Sequence, residues 1–180
     1  MKYCYTSDYH LGHANIILYC GRPFIDIYDM DKTIIQNHNE IVAPDDYVFH
    51  NGDFCFRNTA GGKKGEGLIN KPLEYIKQLN GHFIFIRGNH DRNNSLKATI
   101  ERAIIYNKFI KNYINIVHNP KNARKEFPLN LVGHVHDKWK SKRLAKNSIM
   151  INVGVDVWNF RPIDINEILQ EYHRFLREEK

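Results

Sequence analysis

The feature that most constrains this chain is a pattern that recurs five times. A short apolar segment, typical of a buried β-strand, ends abruptly in Asp, Asn or His side chains. The segments are Met1–Ser7, Asp46–His50, His82–Arg87, Tyr113–His118 and Phe127–Val132. The polar side chains at their ends are Asp8 and His10; Asp53; Asn89, His90 and Asp91; His118; and His134 and His136. Because loops at one edge of a sheet converge, we expect these side chains to lie close together.

The types of these side chains indicate a metal site. Carboxylates, imidazoles and one carboxamide oxygen, without a thiolate, suit Mn, Fe, Mg or catalytic Zn better than a closed structural zinc site. The seven candidate ligands are Asp8, His10, Asp53, Asn89, His118, His134 and His136. Seven are too many for one ion but fit two ions that share a carboxylate, an arrangement that activates water for phosphoryl transfer. We expect two divalent ions, with Mn²⁺ favoured and Fe, Mg, Zn or Ni as alternatives.

The remaining sequence predicts helices interleaved with the strands. Apolar residues at helical spacing predict helices near Ala14–Tyr19 and Met30–Val42, over Pro72–Leu79 and over Ser95–Ala103. A capping box, with Asp164 three residues before Glu167, begins the last helix. Thr59–Gly67 has the composition of a loop, and Ser148–Val153 is a further strand. The residues therefore predict a mixed α/β protein, and a length of 180 fits one domain over residues 1–180.

Charge, hydropathy and cysteine content indicate the kind of partner and the cellular compartment of the protein. The formal net charge is +6, with the densest basic stretch at Lys138–Lys146, which suits an anionic substrate or a polyanion. No apolar run approaches the ~20 residues that cross a bilayer, and the N-terminus lacks the features of a secretory signal. An odd number of cysteines without CxxC spacing, Cys4, Cys20 and Cys55, favours reduced thiols. We therefore expect a cytoplasmic protein that does not bind a membrane.

The ordered motifs resemble those of the calcineurin-like metallophosphoesterase superfamily. They are Asp8-x-His10, Gly52-Asp53, Gly88-Asn89-His90-Asp91, His118-x-Pro120 and Gly133-His134-x-His136. The text SDYHLGHANII, with RPF at Arg22–Phe24 and NVGVD at Asn152–Asp156, is similar to a small single-domain branch common in bacteria and their phages. The resemblance implies a four-layer α/β/β/α sandwich, in which two mixed sheets lie face to face with helices outside.

The resemblance also implies a role for each motif residue. One ion would be bound by Asp8, His10 and His136, the other by Asn89, His118 and His134, and Asp53 would bridge them. His90 would lie beside the scissile phosphate, where it stabilises developing charge or protonates the leaving oxygen, and Asp91 would orient it. Arg57 occupies the position of a phosphate-binding arginine in phosphatase members. The sequence departs from the branch at His50 and at Asn51, which replaces an apolar residue close to Asp53.

The function implied is metal-dependent hydrolysis of a phosphate ester, most simply a phosphodiester of a nucleotide or of a nucleic-acid end. A phosphomonoesterase is the first alternative, and Arg57 favours it. A non-catalytic scaffold with the same fold is the second, although such scaffolds lose metal ligands or the equivalent of His90, and this chain keeps them. The other histidines, His13, His38, His50, His82 and His173, are expected to be ordinary core or surface residues, although His13 shares a loop with Asp8 and His10.

Overall fold

The computed structural model describes residues 1–55, 71–91, 96 and 99–178. The strands are β1 (Tyr3–Thr6), β2 (Tyr47–His50), β3 (His82–Ile86), β4 (Thr99–Ile100), β5 (Ala103–Asn107), β6 (Asn112–Ile116), β7 (Leu129–Val132), β8 (Ser141–Ala145), β9 (Ser148–Asn152) and β10 (Ile163–Asp164). The α-helices are α1 (Asn15–Tyr19), α2 (Ile27–Ile41), α3 (Pro72–Ile76) and α4 (Ile165–Glu178), and short 3₁₀ turns cover Pro120–Asn122 and Val155–Val157. The predicted loop Thr59–Gly67 lies outside the described residues.

The strands form two mixed sheets. In the first, of order β10-β1-β2-β3-β4, strands β1 to β4 are parallel and β10 is antiparallel to β1. In the second, of order β5-β6-β7-β9-β8, the three central strands are parallel and the two edge strands are antiparallel. Two mixed sheets flanked by helices confirm the predicted fold class. The parallel centres bring the carboxyl ends of β1, β2 and β3, and of β6, β7 and β9, to common edges.

The main core lies between the sheets, because alternate side chains of each strand point inward. Tyr5 and Phe49 of the first sheet belong to the same buried cluster as Ile114, Leu131 and Ile151 of the second. Helices α1, α2 and α3 cover the outer face of the first sheet in a second cluster that also contains Phe85 of β3. Helix α4 packs against β1, β9 and β10. This packing holds both sets of strand ends in a fixed relation to each other.

Two helix starts follow from side-chain caps. Asp26 accepts hydrogen bonds from the backbone amides of Tyr28 and Asp29, so α2 begins at Ile27, three residues before the predicted start. The predicted capping box of α4 is confirmed, because Asp164 Oδ1 accepts from Glu167 N at 3.0 Å and Glu167 Oε2 accepts from Asp164 N at 3.1 Å.

The helix predicted over Ser95–Ala103 is wrong where the structure describes that segment. Thr99 and Ile100 form β4 and pair in parallel with Phe85 and Ile86 of β3, and Ala103 begins β5. Both residues of β4 are β-branched, which favours a strand when a partner edge is available. Tertiary pairing with β3 therefore overrides the local apolar spacing.

Two further expectations concern membranes and thiols. In the ranges that the structure describes, no helix is long and apolar enough to cross a bilayer. Cys4, Cys20 and Cys55 are all free thiols, as the odd cysteine count predicted.

A pair of buried histidines, His38 and His50, packs on the helical side of the first sheet. His38 Nε2 lies 2.8 Å from the carbonyl oxygen of Asn80 and must donate to it, so His38 Nδ1 accepts from the Tyr9 hydroxyl at 2.7 Å. His50 is fully buried against Tyr9 and Phe54, and neither of its ring nitrogens has a hydrogen-bond partner among the described residues. Burial lowers the pKa of His38 to about 4 and that of His50 to about 3. Both histidines are therefore neutral in the folded protein at pH 7.

These lowered pKa values predict that mild acid destabilises the fold. Above the ordinary histidine pKa of 6.5 both side chains are neutral in the folded and in the unfolded protein, so they add no pH dependence to the free energy of unfolding. Below pH 6.5 they become protonated in the unfolded chain but stay neutral in the folded protein. Each histidine then removes about 1.4 kcal/mol of unfolding free energy per pH unit, until the pH reaches its folded pKa. Urea unfolding of the metal-free protein at pH 7, 6 and 5 measures the decline.

The substitution His50→Leu isolates one of these two terms. Below pH 6.5 the unfolding free energy of the variant should still decrease with acid, but by about 1.4 kcal/mol less per pH unit than that of the wild type. The matched control is His173→Leu on α4, where the side chain is exposed. A constant difference between wild type and His50→Leu across this range would show that His50 titrates normally.

Candidate metal centre

Hydrogen bonds between the strand-end loops bring the predicted motifs together at one edge of the sandwich. Asp8 N donates to Gly52 O, and His10 N donates to Asp53 O, both at 3.0 Å. His134 N donates to the Asp8 carboxylate at 2.9 Å from Oδ2. These bonds place the end of β1 beside the ends of β2 and β7, across both sheets.

The predicted ligands form two groups. Asp8, His10 and His136, named here the first cluster, offer ligand atoms that all lie within 4.8 Å of one another. Asp53, His118 and His134 meet the same criterion, and with Asn89 they are named the second cluster. Asn89 Oδ1 lies 2.8 Å from His134 Nδ1 and 3.0 Å from His118 Nε2. The side chains of all seven predicted ligands therefore lie close together, in two neighbouring groups.

The carboxylate of Asp53 connects the two clusters. Its Oδ2 lies 3.5 Å from His10 Nε2 in the first cluster and 3.3 Å from His118 Nε2 in the second. Its Oδ1 accepts a hydrogen bond from His90 N at 2.9 Å. One oxygen therefore faces an imidazole of each cluster, while the other is held by a backbone amide.

The donor atoms fit a pair of divalent ions. His10 Nε2 is buried and has no hydrogen-bond partner within the described part of the chain, a costly arrangement for a polar atom unless a ligand satisfies it. His118 Nδ1 donates to the carbonyl oxygen of Asn51 at 2.6 Å, which leaves Nε2 as the nitrogen that can carry a lone pair. Oxygen and imidazole donors of this kind suit Mn, Fe, Mg or catalytic Zn.

Backbone strain concentrates at the same residues. Five of the seven predicted ligands have left-handed backbone angles, a conformation that non-glycine residues adopt at a cost of order 1–3 kcal/mol. They are Asp8 (φ 59°), His10 (φ 53°), Asp53 (φ 54°), His134 (φ 70°) and His136 (φ 49°). A left-handed residue turns the chain sharply at the strand end, so the side chain points into the site instead of continuing along the sheet.

Close backbone approach explains two of the motif glycines. A Cβ added to Gly52 would lie 2.6 Å from the Cα of Gly88, and one added to Gly88 would collide with Asp53 Oδ1. Glycine is the residue that lets the second and third motif loops approach closely enough for Asp53 to accept from His90 N.

The site is electrostatically polarised. Burial alone would lower the pKa of His118, but Asp53 and Asp8 raise it to about 9. Burial also opposes the charge on His136, whose pKa is raised to about 10 by Asp156, Cys20 and Asp8. Burial would raise the pKa of Asp53, yet the neighbouring His118 and His10 hold it well below its ordinary value. A proton is therefore favoured on His118 and His136, whereas burial lowers the pKa of His10 and of His134.

Of the residues predicted to act on the substrate, the structure describes His90 and Asp91. The half-buried His90 has its ring 5.1 Å from that of His10, centroid to centroid. Asp91 is buried, and its carboxylate accepts from three backbone amides, those of Gly88 (2.7 Å), Asp53 (2.9 Å) and Phe54 (3.1 Å). Asp91 thus shapes the backbone that carries both Asp53 and His90. Arg57 lies outside the described residues.

The structure adds residues that the sequence did not assign. Asp156 and Cys20 form a third group of candidate ligand atoms with His136, and Asp156 Oδ2 lies 3.1 Å from His136 Nδ1. Buried Arg22 pairs with Asp156. In the sequence, only the motifs RPF and NVGVD pointed to Arg22 and Asp156, and neither motif has the spacing of a metal-binding motif. His13, expected to be an ordinary residue, is buried with its Nδ1 3.1 Å from His10 Nδ1.

Asn51, the departure from the branch, connects the site to the second sheet. Its side-chain amide donates to Leu131 O at 3.2 Å, and its own carbonyl oxygen accepts from Ser7 Oγ at 2.9 Å as well as from His118 Nδ1. The bond that orients His118 is therefore made by the main chain and does not depend on the side chain at position 51.

Comparison with known proteins agrees with this arrangement. The family model described as calcineurin-like phosphoesterase matches residues 1–178. The chain belongs to the calcineurin-like phosphoesterase family. This phosphoesterase is 34% identical over 173 residues to an uncharacterized protein of Methanocaldococcus jannaschii, an alignment that covers 91% of the chain and 87% of that protein. The crystal structure of a protein of unknown function from Aquifex aeolicus has the same fold, with a TM-score of 0.70, 24% identity, and coverage of 94% of this chain and 98% of the other.

Membership in the family fits the two clusters. Calcineurin-like phosphoesterases are metal-dependent hydrolases of phosphoesters, and this phosphoesterase has candidate ligand groups for divalent ions.

Proposed function

We propose that the protein is a dinuclear metal-dependent phosphodiesterase that hydrolyses phosphodiesters of nucleotide type. The observation that carries this proposal is the position of Asp53 Oδ2, within 3.5 Å of an imidazole nitrogen in each cluster. A carboxylate in this place serves two ions at once, and the other predicted ligands surround it on both sides.

Each residue has a part in the proposed reaction. The first cluster would hold one ion, the second cluster the other, and Asp53 would bridge them; such a pair of ions activates water and offsets charge on the phosphoryl oxygens. His90 would donate to the leaving oxygen or to a phosphoryl oxygen in the transition state. Asp91 would orient His90 through the backbone of the turn that both occupy. Arg57 would contact the phosphate.

A polar cavity supports the preference for a diester. It has a volume of about 240 Å³, adjoins the second cluster at His118 and Asn89, and is also lined by Arg87, Asn119 and Asn122. A monoester has one organic group to accommodate, whereas a diester has a second, which this cavity could receive. The net charge of +6 suits a nucleotide-like anion. Retention of every predicted ligand argues against a non-catalytic scaffold.

Two finer assignments belong to the same proposal. We favour Mn²⁺ as the working ion, because the candidate set combines carboxylate, carboxamide and imidazole donors. We place the enzyme in the cytoplasm, because Cys4, Cys20 and Cys55 are unbridged thiols.

Kinetics with paired chromogenic substrates tests the proposal. The protein, freed of metal and reloaded with Mn²⁺, is assayed against bis-p-nitrophenyl phosphate and p-nitrophenyl phosphate. We expect kcat/KM for the diester to exceed that for the monoester at least about tenfold, which is about 1.4 kcal/mol of transition-state binding. Activity should vanish with excess EDTA and return with Mn²⁺.

Two results would contradict it at different levels. Undiminished turnover in EDTA would exclude metal dependence. A tenfold preference for the monoester, abolished by Arg57→Ala, would instead identify a phosphomonoesterase in which an arginine fork binds the terminal phosphate.

A further inference from the structure

A buried arginine, Arg22, lies next to the first cluster. The side chain of Arg22 is 0% exposed and that of its partner Asp156 is 2% exposed. Arg22 Nε lies 2.8 Å from Asp156 Oδ1, and Arg22 Nη2 lies 3.0 Å from Asp156 Oδ2, which is a forked ion pair. A charged pair this deeply buried is costly to form, so its retention calls for a function or for complete hydrogen bonding.

The remaining donors of Arg22 hold the backbone of the Asp8-x-His10 motif. Nη2 also donates to Asp8 O at 2.7 Å, and Nη1 donates to Tyr9 O at 2.9 Å and to the Met30 sulfur at 3.4 Å. All five N–H groups of the guanidinium therefore have an acceptor. Asp8 and His10 are left-handed residues, and the two carbonyls that Arg22 holds belong to the peptide units between them. The arginine thus stabilises the strained turn that aims both ligands inward.

Asp156 extends the same arrangement to the third ligand of the first cluster. Its Oδ2 accepts from His136 Nδ1 at 3.1 Å. Because a carboxylate paired with an arginine can only accept, Nδ1 carries the proton and Nε2 is left as the nitrogen that can bind an ion. Both oxygens of Asp156 are engaged by Arg22, so Asp156 orients a ligand and is poorly placed to be one.

The geometry points to Arg22 and Asp156 as a positioning pair that sets the affinity of the first cluster for its ion while leaving the second cluster unchanged. This inference rests on the proposed two-metal function. It concerns positioning and not catalysis, since outside the pair its described contacts are with the ligand His136, with the backbone carbonyls of Asp8 and Tyr9, and with the side chains of Met30 and Phe160. The ligands of the second cluster are held by other contacts, such as that of Asn51 O with His118.

Manganese titration of the metal-free protein by calorimetry tests the inference without an activity assay. Wild type should bind two ions per chain. In Asp156→Asn, the amide must place its NH₂ either against Arg22, which is also a donor, or against His136 Nδ1, which then has to give up its proton to Nε2. We expect one of the two ions to bind about 10–100-fold more weakly, as is usual when the partner of a ligating histidine is lost. The other ion should keep its affinity.

Four further variants complete the test. Arg22→Lys keeps the charge but not the fork, and should also weaken one ion only. The control is Arg161→Lys, which alters the half-exposed forked pair with Glu167 and should bind both ions normally. Combining Asp156→Asn with His136→Ala should weaken binding no further than His136→Ala alone, because both changes act through one ligand.

The outcomes separate the two proposals. A wild type that binds no divalent ion would overturn the proposed function. A wild type that binds two ions, with a folded Asp156→Asn that binds both at the same affinity, would overturn only the positioning role. An equal loss of both ions in Asp156→Asn would mean a general structural effect and would also overturn it. Should Arg22→Lys fail to fold, as judged by its thermal melt, Asp156→Asn decides.

Discussion

Replacing Asp53 with asparagine should abolish binding of both metal ions and lower kcat/KM by at least about 10³-fold, equivalent to about 4 kcal/mol. Asp53 is the residue whose Oδ2 faces both clusters, so its charge is lost from both ions at once. Asparagine is the informative substitution, because it tolerates the left-handed backbone of this position and can still accept from His90 N. Alanine would add backbone strain to the loss of charge.

The same variant has a second expected effect that needs no metal. Hydrogen bonding to Asp53 is the main influence that raises the pKa of His118 to about 9. In metal-free Asp53→Asn that pKa should fall, which an NMR titration of the histidine resonances measures. The matched control is Asp45→Asn, an exposed carboxylate in the loop before β2. Two ions per chain in Asp53→Asn, counted by elemental analysis after gel filtration, would contradict the bridging role.

The sequence predicted the members of this site because their positions follow from strand ends. Apolar strands such as His82–Arg87 must end where polar residues begin, and parallel strands end at the same sheet edge. The same reasoning failed at Thr99–Ile100, where the local spacing of apolar residues fits a helix and only the edge of β3 makes a strand favourable. The spacing of apolar residues within one segment does not indicate which other segment of the chain will pair with it.

The supporting residues were beyond prediction for a related reason. Arg22 and Asp156 are 134 positions apart. The motifs RPF and NVGVD contain them, but neither motif has a spacing that pairs one residue with the other. What makes them important is that the turn before α2 and the 3₁₀ turn after β9 both pack behind Asp8 and His136. For Asp91 the resemblance implied that it orients His90. The described contacts of its carboxylate are with three backbone amides, those of Gly88, Asp53 and Phe54.

His90 should prove dispensable for metal binding and essential for turnover. Its backbone amide, not its ring, donates to Asp53 Oδ1, so His90→Ala keeps the bond that positions the bridging carboxylate. The residue also lies outside the groups of metal-competent side chains found among the described residues. We therefore expect His90→Ala to bind two ions like the wild type, and to lose about 10²–10⁴ in kcat, the usual contribution of a positioned acid or base.

Substrates with different leaving groups distinguish the two roles proposed for His90, protonation of the leaving oxygen and stabilisation of charge on the phosphoryl oxygens. p-Nitrophenolate departs without protonation, whereas the alkoxide of a nucleoside needs a proton as its bond to phosphorus breaks. If His90 supplies that proton, His90→Ala should slow a diester with a nucleoside leaving group far more than bis-p-nitrophenyl phosphate. Equal losses would instead indicate that the imidazole stabilises charge on the phosphoryl oxygens. His173→Ala, an exposed histidine of α4, is the control and should match the wild type. If His90→Ala lost metal in proportion to its loss of activity, His90 would be a ligand or a structural residue, and the catalytic role proposed for it would be wrong.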